Sequence, residues 1–264
     1  MNAIILAAGE GKRLHPLTLT KPKCMVELFG KTLLERQISV FRNCGINNIC
    51  VVTGYMSELI KYKNVDYIKN HNFMETNMVE SLFSAIDKFT ESTIVSYGDI
   101  VFEQQILKKL INSEYDFSII VDKQWEKYWK IRSENPLDDL ESLKIDDEQN
   151  IVSIGKKVDN LTEIEGQYIG LMKFQNNAIG KIKSFYSKSK SISQNSNSNP
   201  LNPNLAFRKS YMTDLLQGLI DDGQKLKTIN IDNGWLELDT IDDYNLYQRL
   251  NSEKKLLQFY EPDD

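Results

Sequence analysis

The sequence predicts an α/β fold. It has a mostly parallel, doubly wound (Rossmann-like) sheet, helices on both faces, and a small added β-rich layer. Three observations carry this. Continuous apolar runs of strand length recur at Ala3–Ala8, Ile49–Thr53, Thr93–Tyr97 and Phe117–Asp122, as expected of strands buried on both faces. Stretches of helical period separate them, which implies parallel strands joined by crossover helices. Glycine follows three of these runs directly, at Gly9, Gly54 and Gly98.

The elements come in order. After the Ala3–Ala8 strand and a glycine-rich turn, Thr32 to Cys44 is helical, with Leu33, Leu34, Ile38 and Phe41 on one face. Gly45 stops that helix. Ile49–Thr53 is the second strand, and 65–68 a short third one. A helix starts near Asn77 and buries Val79, Leu82, Phe83 and Ile86. Thr93–Tyr97 is a strand, Ile106 to Ile111 a helix, and Phe117–Asp122 a strand. From Trp125 the pattern changes. Short strands at 142–145 and 151–154 flank a polar turn, and 167–174 is a further strand, together forming the added layer. Residues 187–204 are rich in Ser, Asn and Lys, too poor in apolar surface to order themselves, and read as an exposed loop. A helix at 212–220, a strand at 227–231, a strand at Trp235–Asp239 and a final helix close the chain.

The chain has 264 residues, with 41% hydrophobic residues and a formal charge of −5, enough for a sizeable core. No basic stripe offers the phosphate-neutralising charge that a nucleic-acid duplex demands, so no nucleic-acid partner is expected. Cys24, Cys44 and Cys50 show no Cys-x-x-Cys spacing, which points away from a zinc site and towards a reducing compartment. No secretory leader pattern and no apolar stretch of membrane-spanning length is visible. The expectation is a soluble, cytoplasmic protein with no membrane partner.

Three motifs carry chemistry. The first is Gly9-x-Gly11-x-Arg13, directly after the first strand, with Lys21-Pro22-Lys23 shortly downstream. Its glycines let backbone amides approach a phosphate or base closely, and Arg13 can hold phosphate oxygens in pairs. It lacks the Gly-Lys-Ser/Thr of a P-loop and the dinucleotide glycine spacing. The second motif is Tyr97-Gly98-Asp99, an aspartate at the carboxyl end of a buried strand. Asp99 either caps the next helix or serves a hard cation. The third is Trp235-Leu236-Glu237-Leu238-Asp239-Thr240, where strand alternation turns Glu237 and Asp239 to the same side. Asp239 is open to the same two readings.

Leu6-Ala7-Ala8-Gly9-x-Gly11-x-Arg13-Leu14, then Pro22-Lys23, then Gly98-Asp99, resembles the nucleotidyltransferase superfamily of sugar-nucleotide pyrophosphorylases. Within it, the chain is most similar to small cytidylyltransferases acting on phosphocholine, phosphonates or phosphoglutamine. The residues are Val52–Tyr55, Thr76–Leu82, Gly166–Leu171 and Trp235–Asp239. Two further stretches, Glu134–Asp139 and Met212–Gln217, are similar to the branch found with phosphonate and capsule phosphoramidate pathways. The resemblance implies one nucleotidyltransferase domain over 1–264, with a nucleotide-binding core at 1–122 and an acceptor-binding half at 123–264.

It also implies roles. Arg13, Lys23 and Lys156 (or its neighbour Lys157) would stabilise the phosphates. Leu6, Ala7, Ala8, Gly9, Gly11, Thr53, Gly54, Tyr97 and Gly98 would receive the nucleotide. Asp99 and Asp239 would hold magnesium, the implied cofactor. Asn77, Trp129, Arg132, Tyr168 and Glu237 would face the acceptor. From the residues themselves, an ammonium would be met by the aromatic side chains, an amino group by Glu165 or Glu237, and an acceptor carboxylate by Arg132 beside Trp129. Asn77 can contact either substrate or cap its helix. The implied partners are CTP and a small phosphorylated or phosphonate acceptor, with capsule or surface-polymer modification as the destination; a homodimer is left open. A sugar-1-phosphate nucleotidyltransferase and a catalytically silent regulatory module are the alternatives. The second would be expected to lose its cations and metal carboxylates, and this chain keeps them.

Overall fold

Every side chain of β1 (Asn2–Ala7) is buried, and alternation divides them between two cores. Ala3, Ile5 and Ala7 face one layer of helices; Ile4 and Leu6 face the other. The structure, a computed structural model, describes residues 1–133, 137 and 140–262. Of the Glu134–Asp139 stretch that contributes to the family resemblance, only Leu137 lies within the described residues.

Two short strands, β2 (Glu27–Leu28) and β3 (Lys31–Thr32), lead into α1 (Leu33–Asn43), which Thr32 caps by accepting from the Glu35 amide at 3.0 Å. Then come β4 (Ile49–Thr53), β5 (Asp66–Lys69), α2 (Met78–Ser84), β6 (Ser92–Tyr97), β7 (Ile100–Phe102), α3 (Gln104–Ile111) and β8 (Phe117–Asp122). The remainder contributes α4 (Trp125–Arg132), β9 (Glu141–Ile145), β10 (Asn150–Lys157), β11 (Gln167–Gln175), α5 (Asn177–Ser196), α6 (Met212–Asp221), β12 (Leu226–Ile231), β13 (Trp235–Glu237) and α7 (Ile241–Ser252).

The main sheet has nine strands in the order β5-β4-β1-β6-β11-β8-β12-β10-β9. Strands β4, β1 and β6 are parallel neighbours, while β11 inserts antiparallel between β6 and β8. The expected β-rich layer is therefore part of the same sheet, and β9 and β10 form its far edge. Helices α1, α3, α4 and α7 cover one face; α2, α5 and α6 cover the other. Among the described residues no helix is long and apolar enough to cross a membrane.

Three sequence expectations change. The helix α4 was not anticipated, although Trp125, Tyr128 and Trp129 are its buried positions and have helical spacing. Strand β13 ends at Glu237 and pairs with β7 outside the main sheet. The third concerns the loop expected at 187–204. Helix α5 runs on to Ser196, because Ala178, Ile182, Tyr186 and Ser189 form one buried stripe. Tyr186 stacks on Phe83 at 3.6 Å between centroids, and its hydroxyl donates to Glu80 at 2.6 Å. Beyond the helix, Asn199 and Asn202 order the chain through their side chains, donating to Ser210 and Asp214 and accepting from backbone amides. Side-chain amides replace the apolar surface that the segment lacks.

If α5 is docked this way, Tyr186→Ala removes a stacked, hydrogen-bonded ring and destabilises the protein by roughly 3 kcal/mol. Urea unfolding checks this; a loss within experimental error would mean that the helix contributes nothing.

Candidate active site

The glycine turn is shaped by contact with the lysine downstream of it. Gly11 has φ +76°, and a Cβ there would lie 2.8 Å from Cβ of Lys23. The turn therefore needs glycine for its left-handed backbone and for the lysine stem packed on it. Thr18 is buried and donates to the Gly11 carbonyl at 2.8 Å, folding the intervening segment back. At the end of β6, a Cβ on Gly98 would meet the Leu6 carbonyl at 2.7 Å and Ala7 Cα at 3.0 Å. Glycine here lets the β6 turn lie against β1, so Asp99 emerges beside the glycine turn.

A second ladder brings the third motif to the same place. In β7 and β13, Glu237 pairs with Ile100, and the Leu238 amide donates to the Asp99 carbonyl at 2.9 Å. Asp99 and Asp239 thus leave opposite strands at the same end of one ladder. Lys23 Nζ lies between them, 2.8 Å from Asp99 Oδ2 and 2.7 Å from Asp239 Oδ1. The side chain of Arg13 reaches the other oxygen of Asp239 at 2.5 Å. Neither aspartate is a helix cap: Thr240 caps α7, and Asp243 completes its capping box.

These groups are largely dry, with side-chain exposures of 12% for Lys23, 15% for Asp99 and 10% for Asp239. Burial pulls the Lys23 ammonium towards deprotonation, but the two carboxylates outweigh it and hold its pKa above the ordinary lysine range. At an effective dielectric of 20, opposite charges 4 Å apart gain about 4 kcal/mol, which desolvation of several kcal/mol per ion offsets. The arrangement therefore contributes little net stability, yet it concentrates charge. Asp99 Oδ1 is buried with no hydrogen-bond partner. Among the described residues no group of three or more His, Cys, Asp or Glu side chains could hold a metal by itself. Two carboxylates with an unsatisfied oxygen do fit magnesium, which takes one or two carboxylates and completes its shell with water and substrate phosphate.

Two clefts meet at this charge cluster, of about 600 and 810 Å³ measured out to the open mouth. Leu6, Ala7, Ala8, Gly9, Gly98, Asp99 and Lys23 line the first; Phe73, Thr76, Asn77, Met78 and Ser81 also contribute. Arg13, Tyr97, Trp129, Tyr168, Glu237 and Asp239 line the second, with Glu141, Gln167, Tyr211, Thr213 and Trp235. Met78 lines both. Two more of the named residues fall one on each side. Asn77 lines the first cleft while capping α2. Tyr97 lines the second, its ring edge-on to Tyr168. Thr53 and Gly54 line neither; Gly54 packs on Ala8, where a Cβ would lie 2.6 Å from the carbonyl oxygen. Gly11 supports Lys23 from behind.

Arg132 departs furthest from its expected role. It is not open to an acceptor carboxylate, because its side chain is 6% exposed and its guanidinium is held by internal acids. It donates to both oxygens of Asp243, at 2.9 and 3.1 Å, and to Glu237 at 2.9 Å, while lying over the Trp129 ring at 4.6 Å. Asp243 in turn accepts from the backbone amides of Asp239 and Thr240, at 3.1 and 2.9 Å. Arg132 is thus a clamp that fixes Asp239 through Asp243 and fixes Glu237 directly. Glu237, desolvated and close to Asp99 and Asp239, has its pKa pushed up to about 7 despite Arg132. Lys156 is exposed and lines neither cleft, but it comes directly after Gly155, which packs against Thr213 on the wall of the second. Not anticipated were Asp243, whose Thr-x-x-Asp capping spacing was visible, Thr213, which lies in the Met212–Gln217 stretch but was given no role, and Glu141 and Tyr211, which had no local signal.

Comparison with known proteins places the chain in a family. Residues 3–225 match the model of the MobA-like NTP transferase domain. The chain is 39% identical over 254 residues to CTP:phosphoglutamine cytidylyltransferase of Campylobacter jejuni, covering 92% of this chain and 97% of that protein. It is 34% identical over 140 residues to choline-phosphate cytidylyltransferase of Haemophilus influenzae, covering 51% of this chain and 59% of the relative. The solved structure of CTP:phosphocholine cytidylyltransferase from Streptococcus pneumoniae superposes with a TM-score of 0.71 at 21% identity, covering 94% of this chain and 98% of that one.

The clamp makes a specific forecast. Arg132→Met strands two acids against a dry guanidinium site and destabilises the protein by roughly 3–5 kcal/mol. In a double-mutant cycle, adding Asp243→Asn costs much less than it does alone. Additive losses in thermal or urea unfolding would show that the two side chains are not coupled.

Proposed function

The chain belongs to the MobA-like NTP transferase family and is a nucleotidyltransferase; from that premise we propose that it transfers CMP from CTP to a small phosphorylated or phosphonate acceptor and releases pyrophosphate. The observation that carries this reading is the Arg13–Asp239–Lys23–Asp99 cluster at the boundary of two clefts. The first cleft is suited to the nucleotide, because strand-end backbone from Leu6 to Gly9 forms its wall. The second is suited to the acceptor, with its phosphate directed to Arg13.

In this reaction an acceptor oxygen forms a bond to the α-phosphorus as the bond to the bridging oxygen of pyrophosphate breaks. That oxygen is already anionic, so no proton must be removed. His15 and His71 are exposed and line neither cleft. The obstacle is repulsion between two anions, and the remedy is fixed positive charge with in-line placement. Lys23 and Arg13 supply two cations, and Lys156 stands where a mobile third could join from the rim. Magnesium, when bound to Asp99 and Asp239, would supply further neutralisation of the phosphate oxygens. Packing on Gly11 holds the stem of Lys23, and the Arg132 clamp holds Glu237 directly and Asp239 through Asp243.

At the acceptor end, Glu141 and Glu237 share the cleft with Trp129, Tyr168 and Trp235. Carboxylates and hydroxyls suit a protonated amine with N–H groups to donate. The Trp129 ring already carries Arg132 over it, so it offers less to a quaternary ammonium. This favours phosphoglutamine, then 2-aminoethylphosphonate, over phosphocholine. A cytoplasmic enzyme fits the three free thiols, and an activated CMP conjugate suits donation to capsule or another surface polymer.

A pyrophosphate-release screen with magnesium would cross the four nucleoside triphosphates with phosphoglutamine, 2-aminoethylphosphonate, phosphocholine and hexose-1-phosphates. Release is expected with CTP and an amine-bearing acceptor; release with a hexose phosphate alone would replace this reading with the sugar-nucleotide one. Asp99→Asn should abolish turnover with unchanged circular dichroism. Arg13→Met should lower kcat by roughly 10²–10³, and near-normal rates from either variant would remove that residue from the chemistry.

A further inference from the structure

We propose that Lys23 is a resident counter-cation that keeps the metal carboxylates closed to a free divalent ion until nucleotide is present, so that metal and nucleotide bind as a linked pair. This rests on the cytidylyl-transfer reading and adds a regulation of its site. Lys23 Nζ takes one oxygen from each aspartate, at 2.8 and 2.7 Å, and Arg13 takes the second oxygen of Asp239. Of the four carboxylate oxygens, Asp99 Oδ1 alone has no hydrogen-bond partner, and it is buried. A cation taking that oxygen would share the Asp99 carboxylate with the Lys23 ammonium, which sits 2.8 Å from its other oxygen.

The lysine is held in this pose. Its stem lies on Gly11, where a Cβ would come within 2.8, 3.1 and 3.2 Å of Lys23 Cβ, Cγ and Cδ. For a metal to share both aspartates, the ammonium must give up its contacts, and another anion compensates that loss. The first cleft supplies the place, since Lys23 lines it together with the strand-end backbone. A triphosphate seated there gives the ammonium new partners and frees the carboxylates in the same event. Each ligand then raises the affinity of the other by the same factor. In the absence of both, Lys23 neutralises two aspartates that would otherwise repel each other, which makes it a positioning residue before it is a phosphate ligand.

The test uses the full-length protein and Mn2+ as a paramagnetic probe, with free Mn2+ read by electron paramagnetic resonance and no nucleotide present. Wild type is expected to bind Mn2+ weakly. Lys23→Met and Lys23→Gln are expected to bind it roughly tenfold or more tightly, although neither turns over. Adding Asp99→Asn to either variant should erase that gain. Saturating Mn2+ should also raise the melting temperature of the two variants more than that of wild type. Equal or weaker Mn2+ binding by a folded Lys23 variant would overturn the proposal. Should both variants fail to fold, micromolar Mn2+ binding by wild type without nucleotide would overturn it, and weak binding would support it. None of these readouts needs turnover, so a failure of wild type to release pyrophosphate would count against the reaction and leave this exchange intact.

Discussion

Lys23 held between Asp99 and Asp239 is the contact around which the rest of the architecture is organised. The three side chains come from distant parts of the sequence, and no local preference could bring them together. The parallel neighbours β1 and β6 bring the glycine turn and Asp99 to one edge, and a separate antiparallel ladder brings Asp239. Gly11 supports the lysine stem, Gly98 lets the Asp99 turn lie on β1, and the β7–β13 ladder delivers Asp239 opposite Asp99. The two clefts meet there, so a reaction joining their contents has to take place beside this charge.

The same region shows what stability and chemistry each require. A dry set of like-charged acids is tolerated only with matched cations, and the protein provides them at two levels. Lys23 and Arg13 answer Asp99 and Asp239, while Arg132 answers Asp243 and Glu237. Asp243 joins the levels, because the carboxylate that caps α7 also accepts from the Asp239 amide. Buried ion pairs of this kind add little to net folding energy but cost much when half removed. Their value here is geometric: the acids stay where a phosphate and its counter-ions can meet them.

Much of the fold was legible because it rests on period. The apolar runs at β1, β4, β6 and β8 read as buried strands, and glycine after three of them marked the edge where the clefts lie. What escaped depended on partners far along the chain. Helix α5 looked too polar to order, yet Tyr186 finds Phe83 and Glu80, both more than a hundred positions away. Arg132 looked like a ligand because it is a cation beside a tryptophan; only the fold shows that Asp243 and Glu237 have taken it. The wall of the first cleft from Leu6 to Gly9 was readable from the glycine motif, once Lys23 and Gly98-Asp99 were set beside it. The second draws on α4, β9, β11, β13 and the start of α6, and no single segment announces it.

The central claim is that the donor's α-phosphorus is brought to the Lys23–Arg13 boundary between the two clefts. A crystal structure with CTP, magnesium and an unreactive acceptor analogue tests it most directly. The α-phosphate is expected within hydrogen-bonding reach of Lys23 and Arg13, the ion on Asp99 and Asp239, and the acceptor's amine beside Glu237. A triphosphate bound away from the glycine turn, with Lys23 still bridging both aspartates, would contradict it.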